Sequence, residues 1–242
     1  MAKKLNIASL EPKILMEPVA HDDKRYIRCH VLIVCEGEKT EPNYFRSFSM
    51  MKNSSGMVYE VSTAGGGINT LQVVDKAIEL RDKAASQGKA YDSVWAVFDR
   101  DSFKAADFDN AIVKAQSNNI GCAWSNEAFE LWYVYHFDDR CTAMSRKDYK
   151  DVITQRVKAT GFKVGNKEYA YLKNDPKMRA TLSACQCDER IAIRRAERQA
   201  NSFDDQKFHD HNPCTTVYQL VRLLIGEDKN FNRMIESKLE EK

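Results

Sequence analysis

Apolar positions fall into two patterns that change near residue 125. Before it, four short continuous runs rich in β-branched and aromatic residues stand out: His30–Cys35, Met57–Val61, Ser93–Phe98 and Ile120–Trp124. Runs of this length suit strands buried on both faces. Between them the period is helical. Tyr44, Phe45, Phe48 and Met51 share a stripe over 43–51, with Pro42 suited to a first turn. Leu71, Val74, Ala77, Ile78 and Arg81 mark an amphipathic helix that fades near Ser86-Gln87-Gly88, and residues 106–118 form another. Strands alternating with helices at this spacing predict right-handed βαβ units and a mostly parallel sheet.

After residue 125 the strand signals stop. Ser125 or Asn126 is placed to cap a helix running to Phe137, with Phe129, Trp132, Tyr133 and His136 on one stripe. Further helices are expected over 146–158, 176–200 and 213–225, separated by Gly161, Gly165 and the loop 203–212. Residues 1–27 are polar, carry Pro12 and Pro18, and show no sustained period. The expected organisation is therefore an N-terminal arm over 1–27, an α/β core over 28–140 and a helical C-terminal extension over 141–242 packed on the core.

Composition narrows this picture only in places. At 242 residues the chain suits one domain with an appendage. No apolar run is long enough to span a bilayer, and the opening MAKKLNIASLEPKILMEP lacks the apolar stretch of a secretory signal, so a cytoplasmic location is expected. Seven scattered cysteines argue against a disulfide scaffold. The net charge of +2 demands no polyanionic partner, yet it is unevenly spread: residues 1–140 carry 17 basic and 20 acidic side chains, residues 141–242 carry 20 and 15.

Open parallel sheets bind ligands at the carboxyl ends of their strands, and acids stand at two such ends. Glu36 follows the first strand, and Asp99 and Asp101 follow the third. Two carboxylates one residue apart in a loop suit a hard cation such as Mg²⁺, which takes oxygen ligands and keeps waters that substrate phosphates replace. A Glu on the neighbouring strand end then serves as a further ligand or moves a proton. Glu38 and Glu41 also fit as plain partners of a helix N-terminus.

This combination resembles the Toprim domain, the metal-dependent nucleotidyl-transfer and hydrolysis fold of topoisomerases, primases and the overcoming-lysogenization-defect nucleases, whose signature is a Glu after the first strand and D-x-D after the third. The blocks VLIVCEGEKTEPNYFRSF, VWAVFDRDSF, SNEAFELWYVYHF and NPCTTVYQLV together resemble the RloB family of small Toprim-type proteins found near restriction and phage-defence genes. They cover the chain from about residue 29 to 225. The resemblance implies a Toprim-like core and a Mg²⁺-dependent nuclease, with Mn²⁺ as a substitute, that cleaves DNA or RNA in antiviral defence beside an ABC- or SMC-like ATPase. Metal then falls to Glu36, Glu41, Asp99 and Asp101, and catalysis to Glu36, Asp99, Asp101 and Glu130. The chain has Ser125-Asn126-Glu127 where the resembled pattern has S-N-P, which leaves open whether Glu127 or Glu130 joins the site; Asn126 and Glu130 are expected one turn apart on one helix.

Other features admit two readings. Ala64-Gly65-Gly66-Gly67 reads as a strand-to-helix turn more readily than as a phosphate cradle, because no phosphate-loop spacing is present. Cys185-x-Cys187 and His209-x-His211 lack zinc-finger spacing, and His136 reads as a packing residue. Arg190, Arg194, Arg195 and Arg198 project along one helix as candidate nucleic-acid contacts, although Glu189 and Glu197 also fit a solvated face. Lys39 and Arg100, beside the acids, are candidates to neutralise a phosphate. Two rival functions stand beside the nuclease: a haloacid-dehalogenase-type phosphatase, and a non-catalytic module that docks an ATPase.

Overall fold

The computed structural model describes residues 27–49, 51–52, 56–100 and 104–240; the expected N-terminal arm, apart from Ile27, lies outside them. The chain runs β1 (Ile27–Cys35), α1 (Thr40–Arg46), β2 (Met57–Gly65), α2 (Thr70–Ser86), β3 (Ser93–Asp99), α3 (Ala105–Ser117), β4 (Gly121–Asn126) and α4 (Glu130–Phe137). There follow α5 (Tyr149–Ala159), a small hairpin β5 (Lys163–Val164) and β6 (Lys167–Glu168), α6 (Met178–Ala184), α7 (Glu189–Ala200), β7 (Cys214–Thr215), α8 (Val217–Leu224) and α9 (Lys229–Glu240). Strands order as β2-β1-β3-β4-β7, parallel except for β7, which runs antiparallel to β4. This is the expected mixed α/β architecture with a mostly parallel sheet. The order places a topological switch between β1 and β3, where chain direction away from β1 divides to the two sides of the sheet and leaves a crevice at the strand ends.

The sheet is covered on both faces, which is why its strands read as continuous apolar runs. Helices α2 and α3 lay Val73, Val74, Ala77, Phe108 and Ile112 on one face, against Leu32, Val34, Ala96 and Phe98. The other face carries Val31, Ile33, Cys35 and Val97 beneath α1, α4 and the C-terminal helices. Helix α4 is buried throughout from Glu130 to His136. A helix apolar on every side needs cover on every side, and α5 and α7 supply it beyond the sheet.

Four local expectations differ. Helix α1 begins at Thr40, so Glu41 sits in its first turn, where Pro42 costs no hydrogen bond. The stretch 176–200 is two helices: Gln186 adopts φ of 60° and Asp188 caps α7 by accepting from the Arg190 amide, so Cys185 and Cys187 lie in a joint. The C-terminal part is not purely helical. Cys214 and Thr215 complete the sheet, pairing with Asn126 and Ser125, and the Ser125 and Thr215 hydroxyls meet at 2.8 Å. Two-residue strands carry no period to read. Helix α9 was also not foreseen; its Phe231 stacks on Tyr59 of β2 at 6.3 Å. His136 is the packing residue expected, with Nδ1 2.9 Å from the Trp132 carbonyl and its ring edge-on to Trp132. Among the described residues no helix is long and apolar enough to cross a membrane.

The glycine turn after β2 fixes the start of the acidic loop. The amides of Gly66 and Gly67 donate to the carbonyls of Cys35 and Glu36 at 3.0 and 2.9 Å, so they serve as a strand-to-helix turn. Gly65 has φ of 93°, and a Cβ there would lie 2.2 Å from the Cys35 carbonyl oxygen. Gly88 also has positive φ, 69°, but open space around it. Both Gly→Ala changes incur the left-handed backbone cost of about 1–2 kcal/mol, and only Gly65→Ala adds a backbone collision of about 1–3 kcal/mol. Urea unfolding should therefore rank Gly65→Ala clearly below Gly88→Ala; equal midpoints would show that the β1–β2 end tolerates separation.

Candidate functional site

The switch crevice is a cavity of about 790 Å³ lined by the loop from Glu36 to Glu41, the start of α2, Asp99, Glu130, Arg146, Lys173 and Asn174. Its size is that of a small-ligand site. The ends of β1 and β3 are clamped reciprocally across it. The Glu36 amide donates to the Val97 carbonyl at 2.9 Å, and the Asp99 amide donates to Glu36 Oε2 at 3.0 Å. Glu36 is thus held by the backbone of the strand that carries Asp99.

Glu41 projects from the first turn of α1 and is buried. Its carboxylate lies over Gly37, where a Cβ would come within 2.3 Å of it, and the amides of Glu41 and Gly37 hydrogen-bond it. Burial first, and then Glu130, raise its pKa, while those amides and Lys173 lower it. Glu130 opens α4, is buried, and accepts at 3.0 Å from the Tyr171 hydroxyl. Asp99 feels all of these acids. Its pKa is pushed well above the usual carboxylate range by burial, then by Glu41 and Glu130, with Arg146 opposing and Glu36 adding to the rise. Asp99 Oδ1 is buried without a hydrogen-bond partner, and Oδ2 lies 3.8 Å from Arg146 Nη2.

Arg146 is itself held. Its amide donates to Glu127 Oε2 and its Nη2 to the Glu127 carbonyl, both at 2.8 Å. Glu127, which follows Asn126 through a cis peptide at the position where the resembled motif carries Pro, therefore fixes the cation facing Asp99 and does not line the acidic cavity. Asn126, expected one turn from Glu130 on the same helix, instead ends β4 and donates at 2.9 Å to the His209 carbonyl. A second segment closes the far wall: Asn174 accepts from the Thr40 hydroxyl at 2.7 Å, and its carbonyl accepts from Asn43 Nδ2 at 3.1 Å.

Of the residues singled out from sequence, Glu36, Lys39, Glu41, Asp99 and Glu130 meet in this cavity. Asp101 lies outside the described residues. Arg100 lines a neighbouring cleft. The arginines of α7 are elsewhere. Arg195 donates at 2.9 Å to the Tyr135 carbonyl, near the C-terminal end of α4, whereas Glu130 begins that helix; the five residues from one to the other rise about 7.5 Å. Arg190 pairs with Glu227 and Arg198 with Asp139, and Arg194 is exposed. Three of the four are thus spent on intramolecular partners. Arg146, expected to open a helix over 146–158, instead lies in the turn before α5, and Tyr171, Lys173 and Asn174 also sit in irregular segments, so their proximity to the acids is set only by packing.

The donors are hard oxygens, one of them orphaned in a buried position, and this chemistry fits Mg²⁺ or Mn²⁺. Among the described residues, no three acids, histidines or cysteines converge as a ready-made ion cage. Asp99, Glu36 and Glu41 can supply one or two carboxylates, which is what Mg²⁺ usually takes from a protein.

The family model described as RloB-like protein matches residues 31–224. No curated protein and no solved structure matches the chain.

The raised pKa of Asp99 has a sign that can be tested. The stability tied to this group is present below the unfolded aspartate value of about 3.9 and is lost as pH rises through the higher folded value. Asp99→Asn removes that loss. Without metal, the variant should melt above the parent at pH 8, by about 2–4 °C per kcal/mol relieved, and the gap should close by about pH 4. His136, lowered to about 4 by burial, works oppositely: it costs stability as pH falls from about 6.5 towards 4, in parent and variant alike, and cancels in the comparison. A variant that melts lower than the parent at pH 8 would show that Asp99 stabilises the metal-free fold.

Proposed function

The chain belongs to the RloB-like protein family, and on that footing we propose that it is a Mg²⁺-dependent nuclease with a Toprim-like core, cleaving phosphodiesters of DNA or RNA as the effector of an antiviral system that includes an ABC- or SMC-like ATPase. The observation that carries this reading is the buried, unpartnered Asp99 Oδ1 amid Glu36, Glu41 and Glu130. A carboxylate crowded by others and left without a donor is disfavoured unless a proton or a cation meets it.

In this reading Asp99 and Asp101 hold the metal, with Glu41 and Glu36 beside them. Bound Mg²⁺, or Mn²⁺ in its place, neutralises charge at a phosphodiester and lowers the pKa of an attacking water. The remaining work belongs to the side chains. Glu36, fixed by the Asp99 amide, is the ligand or the general acid/base. Lys39 and Arg146 face developing negative charge from the cavity wall. Tyr171 orients Glu130. The chain has no Walker motif, so ATP-dependent control falls to the partner. A cytoplasmic location fits such a system.

One observation favours a second reading. Among the described residues no three-ligand cage is formed, as suits a non-catalytic module that docks the ATPase. Calorimetric titration with Mg²⁺ and Mn²⁺ separates the two, since a docking module has no need to bind metal through Asp99.

The decisive assay incubates the purified chain, alone and with the neighbouring ATPase, with Mg²⁺ or Mn²⁺ and plasmid, single-stranded DNA and transfer RNA. Asp99→Asn and Asp101→Asn should abolish cleavage. Glu36→Gln keeps an acceptor for the Asp99 amide, so it should fold and bind metal while losing about 10²–10⁴-fold in rate. Parent-like cutting by the Asp variants would remove the site from the mechanism.

Partnership has its own test. A tagged chain should co-purify with the ATPase and be quiet without it; full activity and toxicity of the lone chain would contradict this control.

A further inference from the structure

The acidic cavity shares one wall with a second cleft. Arg146 lines both, and the second cleft, about 580 Å³, is lined also by Arg100, Asn126, Glu127, Ser145, Lys147, His209, Asp210 and Asn212. It opens at the carboxyl ends of β3 and β4, because Arg100 directly follows β3 and Asn126 ends β4. We propose that the cleft formed by Arg100, Arg146 and Lys147 is the track on which backbone phosphates of the substrate strand lie as its neighbouring phosphodiester enters the carboxylate cavity. The inference rests on the nuclease reading and assigns where its substrate binds.

Three observations carry it. The first is position: a polymer with one phosphodiester at Asp99 must continue into an adjoining space, and this cleft adjoins through a shared cationic residue. The second is charge. The acidic cavity presents Glu36, Glu38, Glu41, Asp99 and Glu130 against Lys39, Arg146 and Lys173, so it repels a polyanion. The second cleft reverses the balance with Arg100, Arg146 and Lys147 against Glu127 and Asp210, and the Glu127 carboxylate is already bonded by the Arg146 amide. The third is orientation. The backbone of Arg100 is pinned to β4 by its amide, 2.7 Å from the Ser125 carbonyl, and Arg146 is pinned by Glu127, while Lys147 is exposed. A guanidinium held in place at Arg146, a second one beside it at Arg100 and an exposed ammonium at Lys147 are together a phosphate-binding set. The α7 arginines lie outside this cleft.

The test measures binding apart from cleavage. Fluorescence anisotropy in EDTA would follow a labelled 12-nucleotide single-stranded DNA, the same sequence as RNA, and a DNA duplex, at several salt concentrations. Lys147→Ala, whose exposed side chain makes it safe for the fold, should weaken binding and lower the salt slope of log affinity by about one. Arg100→Gln should do the same, and the double variant should lose about two. Arg194→Ala is the control outside the cleft and should bind as the parent does. The DNA and RNA arms show which backbone the track accepts. If the parent binds and the cleft variants match it in affinity and slope, the track is overturned while the nuclease reading stands. If the parent binds none of the three probes and cuts nothing with metal and ATPase present, both fall together.

Discussion

Like-charge repulsion at the end of two neighbouring strands sets the terms for this molecule. Glu36 and Asp99 are delivered side by side because β1 and β3 are adjacent, and Glu41 and Glu130 are added from the first turns of α1 and α4. Two unit charges 4 Å apart cost about 4 kcal/mol even at an effective dielectric of 20, a large part of the stability of an ordinary domain. With Glu38 also on the cavity wall, no packing requirement explains five acids in one place. The arrangement therefore makes sense only with compensation, and the structure supplies part of it in Arg146 and Lys173 and leaves part to a proton or a bound cation.

The rest of the architecture holds those acids where they repel. Glu41 is pressed over Gly37, and Glu36 is tied to the β3 backbone. Helix α4 presents Glu130 from its first turn while burying its other residues, which obliges the C-terminal helices to wrap it. Trp132 of α4 reaches Tyr44 of α1 with a 2.7 Å hydrogen bond, locking the two acid-bearing helices together. The C-terminal part thus completes both the core and the site: it adds β7 to the sheet, covers α4, and sends residues 171–174 across the cavity mouth.

What the sequence disclosed and what it hid divide along one physical line. The four strands and the acids at their ends were legible because burial on both faces writes a continuous apolar run, and the first polar residue after such a run is at the sheet's carboxyl edge. Glu36 and Asp99 follow from that alone. Arg146, Tyr171 and Lys173 reach the cavity from irregular segments, where no period constrains the path. The α7 arginines misled for a related reason. Sequence counts charges but not their partners, and Glu227, Asp139 and the Tyr135 carbonyl come from elements whose packing on α7 has no local signature. The strand Cys214–Thr215 was hidden because two residues cannot express alternation.

Arg146 links the acidic cavity to its neighbouring cleft. At 3.8 Å from Asp99 Oδ2 it is close enough to oppose the carboxylate's raised pKa, yet its attachment to Glu127 keeps it from collapsing onto Asp99. A cation free to move would close that distance and quench the acid. One held by the backbone leaves Asp99 Oδ1 bare, and it costs no reorganisation when another negative group arrives. The departure at Glu127, whose carboxylate and carbonyl do the holding, therefore bears on the site without entering it. The same guanidinium faces the acids on one side and the neighbouring cleft with Arg100 and Lys147 on the other, so one fixed charge serves both walls.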